Sequence, residues 1–105
     1  MTPLVYLILV VKPFRAAAVL HAAAALGVTA GVVREAKGFG RQKGYLDRYR
    51  GTEFGLAYLP KVEIGVWVDA DRAADLADRL AKVARTGRIG DGKILAVPCV
   101  GAVEF

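Results

Sequence analysis

The chain of 105 residues contains one cysteine and one histidine, and this scarcity excludes several kinds of site. Cys99 cannot form a disulfide within the chain, and its place beside Pro98 in an apolar run is typical of a small core residue. A zinc site needs several cysteine or histidine ligands, which Cys99 and His21 alone do not supply. His21 lies in an alanine-rich stretch without a nucleophile beside it. We therefore expect a reducing compartment, no bound metal and no enzymatic activity.

No apolar run is long enough to indicate a membrane span. The stretch at 3–11 is too short against the roughly 20 residues that a spanning helix needs. The stretch from Ala16 to Val33 lacks Asp, Glu, Lys and Arg, but it is mostly alanine and glycine. A signal peptide carries positive charge before its apolar part, whereas Lys12 and Arg15 follow the first run. The sequence therefore predicts a soluble, cytoplasmic protein.

A concentrated block of positive charge is the clearest feature that the chain does have. The net charge is +5, and the window from Lys37 to Lys61 holds six basic and two acidic residues. Such a concentration favours an anionic ligand or an acidic partner, although a solvated basic loop would have the same composition. The hydrophobic content of 55% is enough for a core, and the length suits one domain, residues 1–105.

The hydrophobic periodicity predicts six elements in the order β-α-β-β-α-β. The predicted elements are strands at 4–11, 28–37, 62–68 and 94–98, a helix at 14–26, and a helix whose apolar stripe runs from Ala73 to Ala84. Asp69 or Asp71 would cap the second helix, and the first strand would be buried on both faces. A long glycine-rich connection, 38–59, separates the halves. This order is typical of an α+β ferredoxin-like sandwich with both helices on one face of the sheet.

The stretch TGRIGDGK, residues 86–93, resembles a phosphate-binding loop. Gly87 to Lys93 fits the pattern G-x-x-x-x-G-K, but Ile94 stands where a P-loop has Ser or Thr. The stretch also joins a helix to a strand, so no helix N-terminus faces the ligand as in a true P-loop. An anion would therefore be bound by N–H groups of the loop and by Lys93. A tight turn into a strand would need the same glycines.

Five motifs, spread along most of the chain from residue 11 to residue 94, resemble those of the PII family of signal-transduction proteins in order and spacing. They are VKPF at 11–14, KGFGRQKG at 37–44, YRGTEF at 49–54, LPKV at 59–62 and RTGRIGDGKI at 85–94. The resemblance implies a ferredoxin-like homotrimer that binds ADP, AMP or ATP in the clefts between its subunits. It also implies that residues 38–59 form the T-loop, which docks on a transporter, an enzyme or a regulator.

The resemblance further implies a nucleotide site made of two segments from neighbouring subunits. One segment is the B-loop at 86–93, with Thr86, Gly87, Arg88, Ile89, Gly90, Asp91, Gly92 and Lys93. The other is the base of the T-loop, with Gly38, Phe39, Gly40, Arg41 and Gln42. An effector anion such as 2-oxoglutarate would be held by Arg41, Gln42 and Lys61, and Gln42 would reach the magnesium ion that accompanies ATP. No other cofactor is implied.

The chain departs from the family pattern at positions that affect function. Phe54 replaces the tyrosine that is uridylylated, and Thr52 lies where some members have a phosphorylated serine. Glu104 replaces an arginine that contacts phosphate, and a second such arginine would fall beyond Phe105. A carboxylate there repels the outer phosphates, so we expect ADP or AMP to compete well with ATP.

The adenine side of the implied site is also changed. Val32, Gly65 and Trp67 replace a threonine, a glutamate and a small aliphatic residue of the family pattern. Trp67 lies in a predicted strand, and we expect it to face inward as a core residue.

Three other functions remain open from the sequence. A small anion pocket without 2-oxoglutarate sensing could take bicarbonate, as in PII-like proteins linked to inorganic-carbon uptake and carboxysomes. An ordinary ATP and 2-oxoglutarate sensor of nitrogen status is a second possibility. A basic ferredoxin-like nucleic-acid binder would explain the charge. RNA-binding versions of the fold display aromatic side chains on the sheet, however, and here the strands are aliphatic apart from Tyr6 and Trp67. We therefore expect no nucleic-acid partner. The short apolar runs described above likewise predict no membrane insertion.

Overall fold

The computed structural model describes residues 3–39, 58–88, 90–103 and 105. The elements are β1 (Leu4–Val11), a 3-10 turn (Pro13–Arg15), α1 (Ala16–Ala25), β2 (Gly31–Gly38), β3 (Leu59–Asp69), α2 (Ala70–Ala84) and β4 (Gly92–Pro98). The predicted order of strands and helices is confirmed. No helix in the described ranges is long and apolar enough to cross a membrane.

The four strands form one antiparallel sheet in the order β2-β3-β1-β4. Alternate residues of the two central strands, among them Leu7, Leu9 and Ile64, are fully or almost fully buried. They share a core with Val19 of α1 and Leu80 of α2, so both helices cover the same face of the sheet. This arrangement is the predicted ferredoxin-like sandwich.

The ends of several elements differ from the sequence prediction. β3 begins at Leu59 instead of residue 62, because its pairing with β2 continues through Pro60 to the partners Leu59 and Gly38. β2 begins only at Gly31, and α1 begins at Ala16, after the 3-10 turn. The predicted cap of α2 was wrong for Asp69, which occupies the N-cap position but makes no side-chain hydrogen bond there.

The face of the sheet opposite the helices is uncovered in the single chain, and Trp67 lies on it. Its neighbours Val66 and Val68 are buried under the helices, so the alternation of the strand turns Trp67 the other way. It is 43% exposed and packs on Tyr6, with ring centroids 4.8 Å apart. Gly65 permits this pair, because a Cβ there would lie 1.8 Å from the Tyr6 hydroxyl oxygen. The prediction of an inward Trp67 was therefore wrong for the single chain.

The expectation that β1 is buried on both faces was also wrong for the single chain. Leu7, Leu9 and Val11 are buried under the helices, but the residues between them are only half-buried. The continuous apolar run therefore supplies an apolar second face, which we call the open face. The open face includes Tyr6, Ile8, Trp67, Leu95 and Val97, as the strand register shows.

Candidate functional site

The candidate site lies at one end of the sheet, where α2 stops and the chain turns into β4. The last turn of α2 is fixed by Arg15, whose guanidinium donates to the carbonyl oxygen of Val83 at 3.0 Å from Nε. Arg85 then adopts an extended backbone and ends the helix. A cation at the C-terminus of a helix satisfies its last carbonyl groups and its dipole. The loop that follows therefore starts from a fixed point.

Glycine is required at three places in this loop for conformational reasons. Gly87, Gly90 and Gly92 have φ angles of 83°, 81° and 135°, a region that side-chain-bearing residues rarely adopt. Gly92 also passes close to β1, and a Cβ there would lie 1.8 Å from the carbonyl oxygen of Val10. The glycine pattern of the sequence therefore serves the path of the backbone, whatever the loop binds.

The carboxylate of Asp91 closes the loop on itself. It accepts the backbone N–H groups of Thr86 and Gly87 at 2.8 and 2.9 Å, and it also accepts the Thr86 hydroxyl. Lys12, at the end of β1, lies 3.1 Å from the same carboxylate. The hydrogen bond from the Thr86 hydroxyl is the largest of the effects that hold the pKa of Asp91 far below its usual range. The anion held by the first amides of the loop is thus Asp91 itself.

Lys61 connects this loop with the end of β2. It is only 6% exposed, and its ammonium donates to the carbonyl oxygen of Gly90. Its aliphatic stem packs at Gly38, where a Cβ would lie 3.1 Å from the Lys61 Cγ. Burial first, and then the nearby charge of Lys12, lower the pKa of Lys61. A single chain therefore brings Gly38 beside the Gly90 loop. That the complete nucleotide site combines segments of neighbouring subunits stays a prediction.

Two cavities flank the cluster of charges. One of about 340 Å³ lies between α2 and β4 and is bordered by Arg85, Asp91 and Lys93. The other, of about 530 Å³, lies beside Lys61 and Lys37. Arg88 and Lys93, which belong to the loop itself, are exposed. The site therefore offers cations on both sides of a loop whose backbone is held by internal bonds.

The structure covers only part of the predicted site. It describes Gly38, Phe39, Lys61, Thr86, Gly87, Arg88, Gly90, Asp91, Gly92 and Lys93. The predictions for Gly40, Arg41, Gln42, Thr52, Phe54, Ile89 and Glu104 lie outside the described residues. Phe39 and Tyr58, on either side of the segment 40–57, pack with ring centroids 6.0 Å apart.

Sequence reasoning missed the role of Lys12. It stands in the VKPF motif at the end of β1, 79 positions before Asp91, since 91 − 12 = 79. No spacing rule joins residues so far apart along the chain. The register does so, because Val11 pairs with Gly92 and the residues beyond them meet. The only signal in the sequence for this contact was the lysine of the VKPF motif, for which the sequence analysis had assigned no partner.

Comparisons with known proteins agree with this architecture. The chain matches the model of a family described as nitrogen regulatory protein P-II over residues 5–104. It is similar to nitrogen regulatory protein GlnK of Escherichia coli (strain K12), with 45% identity over 85 residues, 81% of this chain and 76% of the relative. Nitrogen regulatory protein P-II 1 of the same strain is 46% identical over the same shares. A crystal structure of Arabidopsis thaliana PII bound to citrate matches with a TM-score of 0.72 and 26% identity, covering 93% of this chain and 78% of the other.

Proposed function

The chain belongs to the nitrogen regulatory protein P-II family, and from this premise we propose that it binds the phosphates of an adenine nucleotide beside the loop 86–93. We further propose that it forms a homotrimer and signals to a partner protein through the segment 38–59. The observation that carries the nucleotide proposal is the meeting of Lys12, Lys61 and Lys93 around a glycine-rich loop at one end of the sheet.

The physical chemistry of the loop supports phosphate as the ligand. Lysine ammonium groups attract phosphate as point charges, and glycines allow a ligand to approach the backbone closely. Asp91 already fixes the amides of Thr86 and Gly87, so the loop does not need to be ordered by the ligand. A pre-organised site loses less entropy when the ligand binds. The cations therefore supply the attraction, and Asp91 supplies the shape.

Two of the lysines at the site already make bonds within the chain, and this supports a preference for ADP or AMP over ATP. Lys12 is paired with Asp91, and Lys61 donates to the Gly90 carbonyl, so neither charge is fully available to a ligand. Lys93 and Arg88 of the loop are exposed. Each further phosphate adds negative charge that needs its own cation in a site of lowered dielectric. A ligand with fewer phosphates is thus matched more closely by the described charges.

Calorimetric titration with ATP, ADP and AMP tests the proposal directly. We expect ADP or AMP to bind at least as tightly as magnesium–ATP, and Lys93→Gln to weaken ADP binding by about tenfold, equivalent to one exposed charge-assisted contact. Lys82→Gln, on the outer side of α2, is the matched control and should bind like the wild type. Tight magnesium–ATP binding strengthened by 2-oxoglutarate would contradict the preference and restore the ordinary nitrogen-sensor interpretation.

A second candidate is a sensor of a small carboxylate or of bicarbonate. The solved Arabidopsis relative is described as bound to citrate, so a carboxylate ligand is compatible with this fold. Lys61 and Lys12 would supply the charge for such an anion. The same calorimetry with 2-oxoglutarate, citrate and bicarbonate, in the presence and absence of nucleotide, separates the candidates. Anion binding that survives without nucleotide supports this second function, and its absence removes it.

A further inference from the structure

Lys61 is the one charged side chain that is buried in the part of the chain described here. Its Nζ donates to the carbonyl oxygen of Gly90, and its stem lies against Gly38. A carbonyl oxygen offsets less of the cost of burying an ammonium group than a carboxylate would. The environment therefore favours the neutral amine compared with an exposed lysine, and a neutral amine is a nucleophile.

The charged groups around Lys61 act mostly in the same direction. Burial is the largest effect that lowers the pKa of Lys61, the ammonium of Lys12 lowers it further, and Asp91 has the smallest effect and raises it. Asp91 is itself ion-paired with Lys12 at 3.1 Å. Glu35 and Lys37 of β2 border the cavity beside Lys61 and carry opposite charges. The nearest groups thus leave a buried amine next to a second cation.

We propose that Lys61 is a carbamylation site, at which the unprotonated Nζ adds to dissolved carbon dioxide. The nitrogen lone pair forms a new N–C bond, and one C=O π pair moves onto oxygen to give a carboxylate. The proton lost from nitrogen passes to solvent, so the step needs no oxidant, reductant or leaving group. Carbon dioxide suits this amine because it is small and uncharged and loses little hydration on entry.

The product would also be better matched to its surroundings than the reactant. Protonated Lys61 faces the like charge of Lys12, whereas the carbamate would face it as an opposite charge. The consequence for ligand binding rests on the proposed function. A carbamate changes the charge at the anion site from positive to negative, so phosphate or carboxylate ligands would bind more weakly. Ligand binding would in this way respond to carbon dioxide.

The test maps the adduct chemically on the full-length protein. The protein is equilibrated with ¹³C-labelled carbon dioxide at constant dissolved concentration over a series of pH values. It is then treated with triethyloxonium, which esterifies the carbamate, and digested for mass spectrometry. We expect a labelled adduct at Lys61, with an occupancy that rises with pH as the amine loses its proton. Lys61→Arg should carry no adduct in this peptide while keeping the circular-dichroism spectrum of the wild type.

Two comparisons make the result specific. Lys82, which is exposed and ion-paired with Asp78, serves as the internal control for an ordinary surface lysine. Lys12→Gln removes the cation that lowers the pKa of Lys61 and faces the product, so occupancy at Lys61 should fall by about tenfold. An unlabelled Lys61, or an occupancy no greater than that of Lys82, would overturn the proposal.

A separate titration distinguishes this proposal from the nucleotide function. ADP is titrated into the wild type and Lys61→Arg with and without carbon dioxide at equal pH and ionic strength. A weakening by carbon dioxide in the wild type alone supports the coupling. Binding that ignores carbon dioxide overturns the coupling. A labelled Lys61 without any ADP binding would refute the nucleotide function and leave the modification site standing.

Discussion

At the scale of the residue, Asp91 explains how a loop with three positive-φ glycines keeps one shape. Its carboxylate joins the first two amides of the loop to Lys12, the residue that follows β1. The motif GDGK suggested an aspartate that faces a ligand, and the structure shows that this carboxylate accepts hydrogen bonds from its own loop and pairs with Lys12. We therefore assign Asp91 to positioning the loop. A direct phosphate contact from this residue stays a prediction.

Asp91→Asn tests this positioning role. The substitution removes the charge that pairs with Lys12 and one of the acceptors for Thr86 and Gly87. We expect amide hydrogen exchange at Thr86 and Gly87 to become about tenfold faster, because local opening costs less free energy. Exchange at Leu76, in the buried part of α2, should stay unchanged and serves as the control. Equal protection at Thr86 in both proteins would contradict the role of Asp91.

The pH dependence of this contribution follows from the lowered pKa of Asp91. A carboxyl whose folded pKa lies below its unfolded value of about 3.9 adds stability above that value and loses it as the pH falls toward the folded pKa. The difference in melting temperature between the wild type and Asp91→Asn should therefore be constant near neutral pH. It should shrink below about pH 4. A difference in melting temperature that grows on acidification would contradict a lowered pKa of Asp91 in the folded protein.

Three glycine-to-alanine substitutions separate two effects on stability, namely the strain of a side-chain-bearing residue at positive φ and the steric overlap of the new Cβ with neighbouring atoms. At Gly92 both apply, since φ is 135° and the new Cβ would meet the Val10 carbonyl, so we expect a loss of about 3 kcal/mol or more in the free energy of unfolding. At Gly87, with φ 83° and open space, strain alone predicts about 1–2 kcal/mol. Gly101 has nothing within 4 Å and should be nearly neutral. Urea denaturation at one protein concentration measures the three losses in the free energy of unfolding and therefore their order. A similar loss at all three positions would contradict this explanation.

At the scale of the element, α2 is held by its buried stripe and hardly at all by its outer charges. Leu76 and Leu80 are completely buried against the sheet. The outer pairs, Asp75 with Arg79 and Asp78 with Lys82, are mostly exposed ion pairs one helical turn apart. Exposed pairs of this kind contribute a few tenths of a kcal/mol. The position of the loop at the end of α2 therefore depends on the packing of its leucines.

Leu80→Ala against Arg79→Ala compares these two faces of α2. Loss of the buried leucine should lower the free energy of unfolding by about 2–5 kcal/mol, through lost burial and a residual cavity. Loss of the exposed arginine should change it by no more than about 0.5 kcal/mol. Denaturant titration of both variants at equal protein concentration gives the comparison. Equal losses would mean that the outer charges, not the core, hold the helix.

At the scale of the whole molecule, the open face is the largest feature that one chain leaves unexplained. Tyr6, Trp67, Leu95 and Val97 present apolar surface opposite the helices, and Trp67, Leu95 and Val97 are each more than 40% exposed. Exposed apolar patches of this kind are usually covered in the working assembly. The proposed homotrimer gives an occupant for this face, namely further copies of the same chain.

Light scattering on Trp67→Glu combined with Leu95→Glu tests this assignment. We expect a mass of three chains for the wild type and a smaller one for the variant, since charges would be buried without partners. Asp75→Lys, on the outer face of α2, is the control and should keep the wild-type mass. Trp67 is the sole tryptophan, so its fluorescence should shift to longer wavelength when the assembly breaks. An unchanged mass in the double variant would remove the open face from the interface.

The sequence predicted the elements and their order well. Hydrophobic periodicity and the glycine and proline residues that end an element depend only on neighbours along the chain. The apolar stripe of α2 and the alternation around Ile64 each arise from neighbours along the chain. The face of the sheet on which Trp67 lies was harder to predict. An apolar run such as β1, the strand that pairs with β3 at Trp67, indicates that both faces of the sheet are apolar, but it does not indicate what covers each face. The contacts of Lys12 and Lys61 depend on the register between strands that are far apart in sequence.

The sequence by itself determined the order of strands and helices, the family motifs and the glycines that the loop requires, since these follow from local conformational preference and residue type. Only the tertiary structure decided that Asp91 holds its own loop, and that Lys61 is buried between Gly38 and Gly90. It likewise decided that Trp67 lies outside the core of the single chain. The physical reason is that charge pairing and burial depend on distances through space, and antiparallel pairing sets those distances between residues that are remote along the chain.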